Sequence, residues 1–194
     1  MNHDFDDILL ASLAEKVVKY LRRAKKTVAV SESCTGGLLA SFLTEWPGSS
    51  EIFLGGIAAY SNSAKEQILG VSKTVIWLHG AVSKEVAEEM AVRTKSLFGS
   101  NYAIAITGIA GPSGGSEEKP VGTVFHAFSS LQGVLTWENH FQGSRSVVRK
   151  KATKFALELL LKEFEDLSNY TGPDFSWKLG GFSEDMSQRN NKQV

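Results

Sequence analysis

The chain has 194 residues, 42% of them hydrophobic and 22% charged, with 18 Gly and 4 Pro; this composition is that of an ordinary globular protein and excludes collagen-like, low-complexity and wholly disordered classes. Lys plus Arg and Asp plus Glu both number 21, so there is no cationic excess to neutralise a phosphate backbone, and no nucleic-acid partner is expected. No run of 18 apolar residues offers a spanning helix, so no membrane partner is expected either. The acidic stretch from Met1 to Asp7 lacks the basic and apolar regions of a secretory leader. Cys34 is the sole cysteine and no Cys/His cluster has zinc-ligand spacing, which together point to a reducing, cytoplasmic setting without a metal site.

Apolar residues at three- to four-residue intervals from Ile8 to Leu21 predict an amphipathic opening helix over Asp7 to Arg23. A short β-prone run, Thr27 to Val30, stops at the small-residue turn Ser31 to Gly37, and Leu38 to Leu43 then has helical character. Trp46 to Ser50 punctuates the chain, Ile52 to Tyr60 reads as a buried strand despite its Gly55-Gly56 pair, and a short helix is expected from Ser63 to Leu69. Ser83 caps a helix running to about Phe98, with Val86, Met90, Val92 or Arg93, and Leu97 as its inner stripe. Tyr102 to Thr107 is a further buried strand opening into the glycine-rich loop Gly108 to Ser116. Thr123 to Ser129 and Val134 to Phe141 form an antiparallel hairpin joined at Gln132-Gly133. Ser144 to Phe164 is the last helix, with Val148, Ala152, Phe155, Ala156, Leu159 and Leu160 facing the sheet. The expectation is an α/β, three-layer-like single domain with a mixed sheet flanked by helices, over residues 1–167, followed by a polar tail over 168–194.

Two loops of small residues end candidate strands, where open α/β sheets bind ligands. In the first, Ser33 and Thr35 precede a helix start whose amides favour an anion or a developing oxyanion; from local sequence alone, capping of that helix by Ser33 or Thr35 is the simpler account. The second, with Gly108, Gly111, Gly114 and Gly115 and the hydroxyls of Thr107 and Ser116, matches neither a dinucleotide nor a P-loop fingerprint, so no cofactor is expected; it suits a small phosphorylated compound or is simply a surface turn. Tyr60 and Lys65 follow the Ile52 to Tyr60 strand and can point back to the strand ends, forming a catalytic set with Ser33 if burial keeps the lysine amine neutral. Cys34 is a rival nucleophile, though a lone cysteine more often serves as a small buried apolar group. His3, His79, His126 and His140 fall at no metal-ligand spacing and read as structural or solvated. Arg145 and Arg149 open the last helix and can pin a phosphate; a merely solubilising role suits Arg149 better than Arg145.

Six blocks in order, Ser31-Glu32-Ser33-Cys34-Thr35-Gly36-Gly37, Tyr60-Ser61-Asn62-Ser63-Ala64-Lys65, His79-Gly80-Ala81-Val82-Ser83, Thr107-Gly108-Ile109-Ala110-Gly111-Pro112, Lys119-Pro120-Val121-Gly122-Thr123-Val124 and Phe141-Gln142-Gly143-Ser144-Arg145, closely resemble the CinA C-terminal domain family, the nicotinamide-nucleotide amidohydrolases. The resemblance runs from about Ile8 to Phe164. It implies hydrolysis of the carboxamide of nicotinamide mononucleotide to nicotinate mononucleotide and ammonia, a pyridine-nucleotide salvage step. It further implies Ser33 as nucleophile, Lys65 as base and proton shuttle, and Tyr60 as their support. Substrate contacts implied by the same resemblance fall at Ser31, Thr35, Gly36 and Gly37, with the amides near Thr35 and Gly36 holding the oxyanion, and at Thr107, Gly108, Ala110, Gly111 and Arg145 around phosphate and ribose. A homodimer or higher homo-oligomer is implied as well. Position 144 is Ser where many members carry Asp, which removes a carboxylate beside Arg145. The resemblance does not extend to the larger N-terminal domain of some members, whose chemistry is not expected here. Two other readings stay open: a catalytically silent nucleotide- or partner-binding module linked to competence or DNA-damage responses, and an amidase for another small amide.

Overall fold

A computed structural model describes residues 3–163; the expected tail lies outside the described residues. Five strands, β1 (Val28–Glu32), β2 (Phe53–Ala58), β3 (Tyr102–Gly108), β4 (Thr123–Ser129) and β5 (Val134–His140), form one sheet in the order β2-β1-β3-β4-β5. β1 runs parallel to β2 and β3, and β4 and β5 complete the sheet antiparallel. The helices are α1 (His3–Ala24), α2 (Leu38–Thr44), α3 (Asn62–Gln67), α4 (Lys73–His79), α5 (Lys84–Phe98) and α6 (Arg145–Lys162). The α/β class with a mixed sheet is therefore as the sequence pattern implies.

Alternation along the central strands divides the core. Val28 and Val30 of β1, Ile104 and Ile106 of β3, and Val124 and Phe128 of β4 face α1, α2 and α6. The opposite face carries Ala105, Phe125 and Ala127, packed under α5 with Ala59, Leu69 and Ile76. Small side chains on that second face let α5 approach closely, and α5 answers with Val86, Ala87, Met90, Ala91 and Thr94. This corrects the expected inner stripe: Val92 and Leu97 are exposed, because the alanines at 87 and 91 turn the packed face away from them. α4 was not expected from sequence; Ser72 caps it by accepting from the Val75 amide, and a short, Trp-bearing segment with Trp77 and Leu78 exposed carries no clear apolar stripe.

Chain direction explains where a site can form. The connection from β1 to β2 crosses by α2 on one face, and that from β2 to β3 crosses back over β1 by α5 on the other, so the two crossovers part beside β1. A crevice opens at such a switch point, outside the carboxyl ends of the parallel strands. The Gly55-Gly56 pair inside β2 is a packing requirement: a Cβ at Gly55 would lie 2.4 Å from the Phe98 ring and one at Gly56 2.8 Å from Val30 Cγ2.

Candidate active site

The carboxyl ends of β2, β1 and β3 border a cavity of about 260 Å³ lined by Ser33, Cys34, Tyr60, Asn62, Lys65, Thr107, the Gly108 to Gly111 stretch and Arg145, with Ala81 and Val82 as an apolar wall. Ser33 stands one residue beyond β1, tied down by its amide donating to the Ile106 carbonyl at 2.8 Å. Lys65 comes from α3, whose first turn is fixed by Ser61 accepting from the Ala64 amide at 3.0 Å. The lysine side chain is only 1% exposed. Its Nζ lies 3.1 Å from Ser33 Oγ and donates to the Ala59 carbonyl at 3.0 Å. Burial disfavours the ammonium and pushes the Lys65 pKa down, against a smaller opposing effect of Cys34. Among the described residues no acidic side chain lines the cavity to restore the charge. A buried amine that donates to a carbonyl and lies within hydrogen-bond reach of a serine hydroxyl has the geometry a nucleophile and base pair needs.

Tyr60, expected to support that pair, stands at the exposed mouth, 59% accessible. Its hydroxyl accepts from Arg145 Nη2 at 2.6 Å, while Arg145 Nη1 donates to the Gly111 carbonyl at 2.9 Å. Arg145 thus bridges the ends of β2 and β3 from the start of α6. The structure brings together Ser33, Tyr60, Lys65, Thr107, Gly108, Ala110, Gly111 and Arg145 around one cavity. Ser31, Thr35, Gly36 and Gly37 do not line it. Ser31 points from β1 toward the α5 face and is fully buried, as is Thr35, and neither hydroxyl has a hydrogen-bond partner among the described residues. The Thr107 hydroxyl, expected as a ligand donor, gives its proton to the Ala81 carbonyl at 2.7 Å. Ser116 accepts from the Lys119 amide, and Lys119 Nζ donates to the His79 carbonyl; neither lines the cavity.

The simpler account of the first loop also needs correcting. Neither Ser33 nor Thr35 caps α2. The buried Glu32 carboxylate reaches forward from the end of β1 and accepts from the amides of Gly37, Leu39 and Ala40 at 3.0, 3.2 and 2.9 Å. A fixed anion already sits on the positive end of that helix. Gly36 donates to the Ser33 carbonyl at 3.1 Å, so one of the amides expected to hold an oxyanion is already engaged within the turn. The Cys34 thiol is 5% exposed and burial pushes its pKa up to about 11, so it stays protonated and is no rival nucleophile.

Two further residues have roles finer than the sequence reading gave them. Arg149, offered above for a phosphate contact or for solubility, instead donates from Nε and Nη2 to the Thr35 carbonyl at 3.2 and 2.6 Å; the available signal is its i, i+4 spacing from Arg145. His126 is wholly buried beneath α6, its Nε2 bonded to the Ala152 carbonyl at 3.0 Å and its Nδ1 to the Asn139 amide at 3.2 Å. Burial drives its pKa down to about 4. Among the described residues no three His, Cys, Asp or Glu side chains converge as a metal site, and no helix is long and apolar enough to cross a membrane.

The profile of the CinA C-terminal domain family matches residues 10–164. The nicotinamide-nucleotide amidohydrolase PncC of Shigella flexneri is 46% identical over 159 residues, covering 81% of this chain and 96% of that protein. A CinA-like protein of Thermotoga maritima is 47% identical over 150 residues, of which this chain spans only 36% of the relative's length. Among solved structures, the competence/damage inducible protein CihA from Agrobacterium tumefaciens superposes with a TM-score of 0.77 at 39% identity, covering 79% of this chain and 94% of that one. With the profile spanning most of the chain and the PncC relative matched over nearly its whole length, this chain belongs to the CinA C-terminal domain family.

Proposed function

We propose that this protein hydrolyses the carboxamide of nicotinamide mononucleotide, yielding nicotinate mononucleotide and ammonia. The reading takes its substrate from the name of the PncC relative and its chemistry from one observation: a buried lysine amine 3.1 Å from a serine hydroxyl at the carboxyl end of a parallel strand.

Ser33 Oγ attacks the amide carbon while the neutral Lys65 amine takes the hydroxyl proton. Hydrogen bonding to the Ala59 carbonyl keeps the amine oriented as its lone pair meets that proton. The carbonyl oxygen becomes an oxyanion beside the turn that carries Ser33, where Cys34 borders the cavity. As the tetrahedral intermediate collapses, the C–N bond breaks and Lys65 returns the proton to the departing nitrogen, releasing ammonia and leaving an ester on Ser33. Water, deprotonated by the same amine, then cleaves the ester to the carboxylate and restores the serine. Arg145 and the backbone of the Gly108 to Gly111 loop receive the phosphate and ribose, the guanidinium exchanging its Tyr60 and Gly111 partners for phosphate oxygens.

The test is ammonia release from nicotinamide mononucleotide by purified protein in chelator, with Ser33→Ala and Lys65→Met alongside. Turnover by the wild type is expected, with a loss on the order of 10³-fold or more for Ser33→Ala and of about 10²- to 10⁴-fold for Lys65→Met. Tight binding of the nucleotide without turnover would support a binding module instead, and turnover of other small amides alone would redirect the substrate assignment.

A further inference from the structure

We infer that Arg149 is a positioning residue for the turn that carries the nucleophile, acting through its two-pronged contact with the Thr35 carbonyl. The inference rests on the reading of Ser33 as nucleophile and deepens it.

The turn from Ser33 to Gly37 is anchored at its start by the Ser33 amide on the Ile106 carbonyl and at its end by Glu32 on the α2 amides. Between these anchors the Gly36 amide donates to the Ser33 carbonyl at 3.1 Å. Gly36 adopts a positive φ of 62°, and the Thr35 hydroxyl is buried without a partner among the described residues. Thr35 is therefore held by its main chain, and the guanidinium of Arg149 supplies two donors to its carbonyl, at 2.6 and 3.2 Å. The Leu38 amide approaches the same oxygen only at 3.4 Å.

Thr35 is fully buried, so without Arg149 its carbonyl would keep only the long Leu38 contact, and an under-satisfied buried carbonyl favours rotation of the peptide towards a better donor. Rotation of the Thr35-Gly36 peptide would pull the Gly36 amide off the Ser33 carbonyl and change the direction of Ser33 Oγ relative to Lys65. Arg149 does not line the cavity and so acts through the turn. It lies one helical turn beyond Arg145 on α6. A single helix therefore delivers one guanidinium to the cavity mouth and a second to the back of the nucleophile turn.

The experiment compares wild type, Arg149→Met and Arg149→Lys for the rate at which a fluorophosphonate labels Ser33, followed by mass spectrometry, and for kcat and KM on nicotinamide mononucleotide. In labelling, the serine oxygen bonds to phosphorus as fluoride leaves, so the readout needs no knowledge of the natural substrate. Expected is a fall in labelling rate and in kcat on the order of 10²-fold for Arg149→Met, the cost of about 1 Å of misplacement, with KM within about twofold of wild type. Arg149→Lys keeps the charge but loses the two-point contact and should fall between. A wild-type labelling rate in Arg149→Met overturns the inference, and so does a wild-type rate in Arg149→Lys, which would assign the effect to charge alone. If Arg149→Met fails to fold by near-UV circular dichroism, folded Arg149→Lys decides by that same criterion. Wild type that labels at Ser33 yet releases no ammonia from the nucleotide overturns the substrate assignment and leaves the labelling comparison to judge Arg149.

Discussion

A lysine can work as a base near neutral pH only when its ammonium is made unfavourable, and burial pushes Lys65 in that direction, with no carboxylate among the described residues on the cavity wall. The sign of the pH dependence follows. Protonated Lys65 cannot take the Ser33 proton, so kcat/KM should rise with pH and level once the amine is neutral, with a midpoint below the ordinary lysine value of about 10.4. A pH–rate profile in which activity falls over that limb would contradict the assignment. The alternative nucleophile is testable at the same scale: Cys34 is a protonated, buried thiol, so Cys34→Ala should keep most of the activity, whereas Ser33→Ala should not. The motif blocks made Ser33 and Tyr60 legible because they stand just past strand ends, and Lys65 because its block runs on into the short helix that follows. Arg149 was not legible, because a charge early in a helix looks the same in sequence whether it faces water or a carbonyl 114 positions away.

Among the elements, α2 depends on a residue outside itself. Its N-terminus has Gly37 at the cap position, with a left-handed φ of 92° and no side chain to offer, and three of its amides are taken by Glu32. Glu32→Ala would leave those donors without their acceptor in a region shielded from water, and a loss of at least about 2 kcal/mol in unfolding free energy is expected, measurable by urea denaturation. Glu32→Gln, which can still accept, should recover part of it. The sequence suggested hydroxyl caps because Ser33 and Thr35 lie nearest the helix in order. Glu32 wins because a strand-end side chain long enough to curl forward brings two oxygens and a full charge to the helix dipole. Sheet and major helices were otherwise readable, since β1 and β3 are short apolar runs and α6 is a long apolar-rich segment, though Leu157 and Leu161, outside the expected stripe, are buried as well. α4 escaped, since a seven-residue helix with Trp77 and Leu78 exposed leaves too few buried positions to set a period.

At the scale of the whole molecule, the antiparallel part of the sheet supplies none of the side chains at the cavity; it props α6. His126 of β4 does this with a neutral ring bonded to the Ala152 carbonyl of α6 and to Asn139 of β5. Its folded pKa of about 4 lies below the unfolded value of 6.5, so between those pH values the unfolded chain binds the extra proton. Stability is therefore lost as pH falls from about 6.5 towards 4, by about 3 kcal/mol from this residue, and is unaffected by it above that window. Urea unfolding at pH 7.5 and pH 4.5 should show the loss in wild type, and His126→Gln should flatten it. Because α6 also carries Arg145 and Arg149, acid that loosens its seat on the sheet reaches both ends of the nucleophile's support. The same antiparallel geometry has a practical outcome. β4 leaves the cavity at Val124, paired with Gly108, and ends at Ser129, paired with Ala103, so the hairpin tip with its exposed Leu131 lies at the far edge of the sheet from the chemistry. That tip is the place to graft a fluorophore, a peptide tag or a surface-immobilisation handle, since cargo placed there meets solvent and leaves the substrate's approach clear.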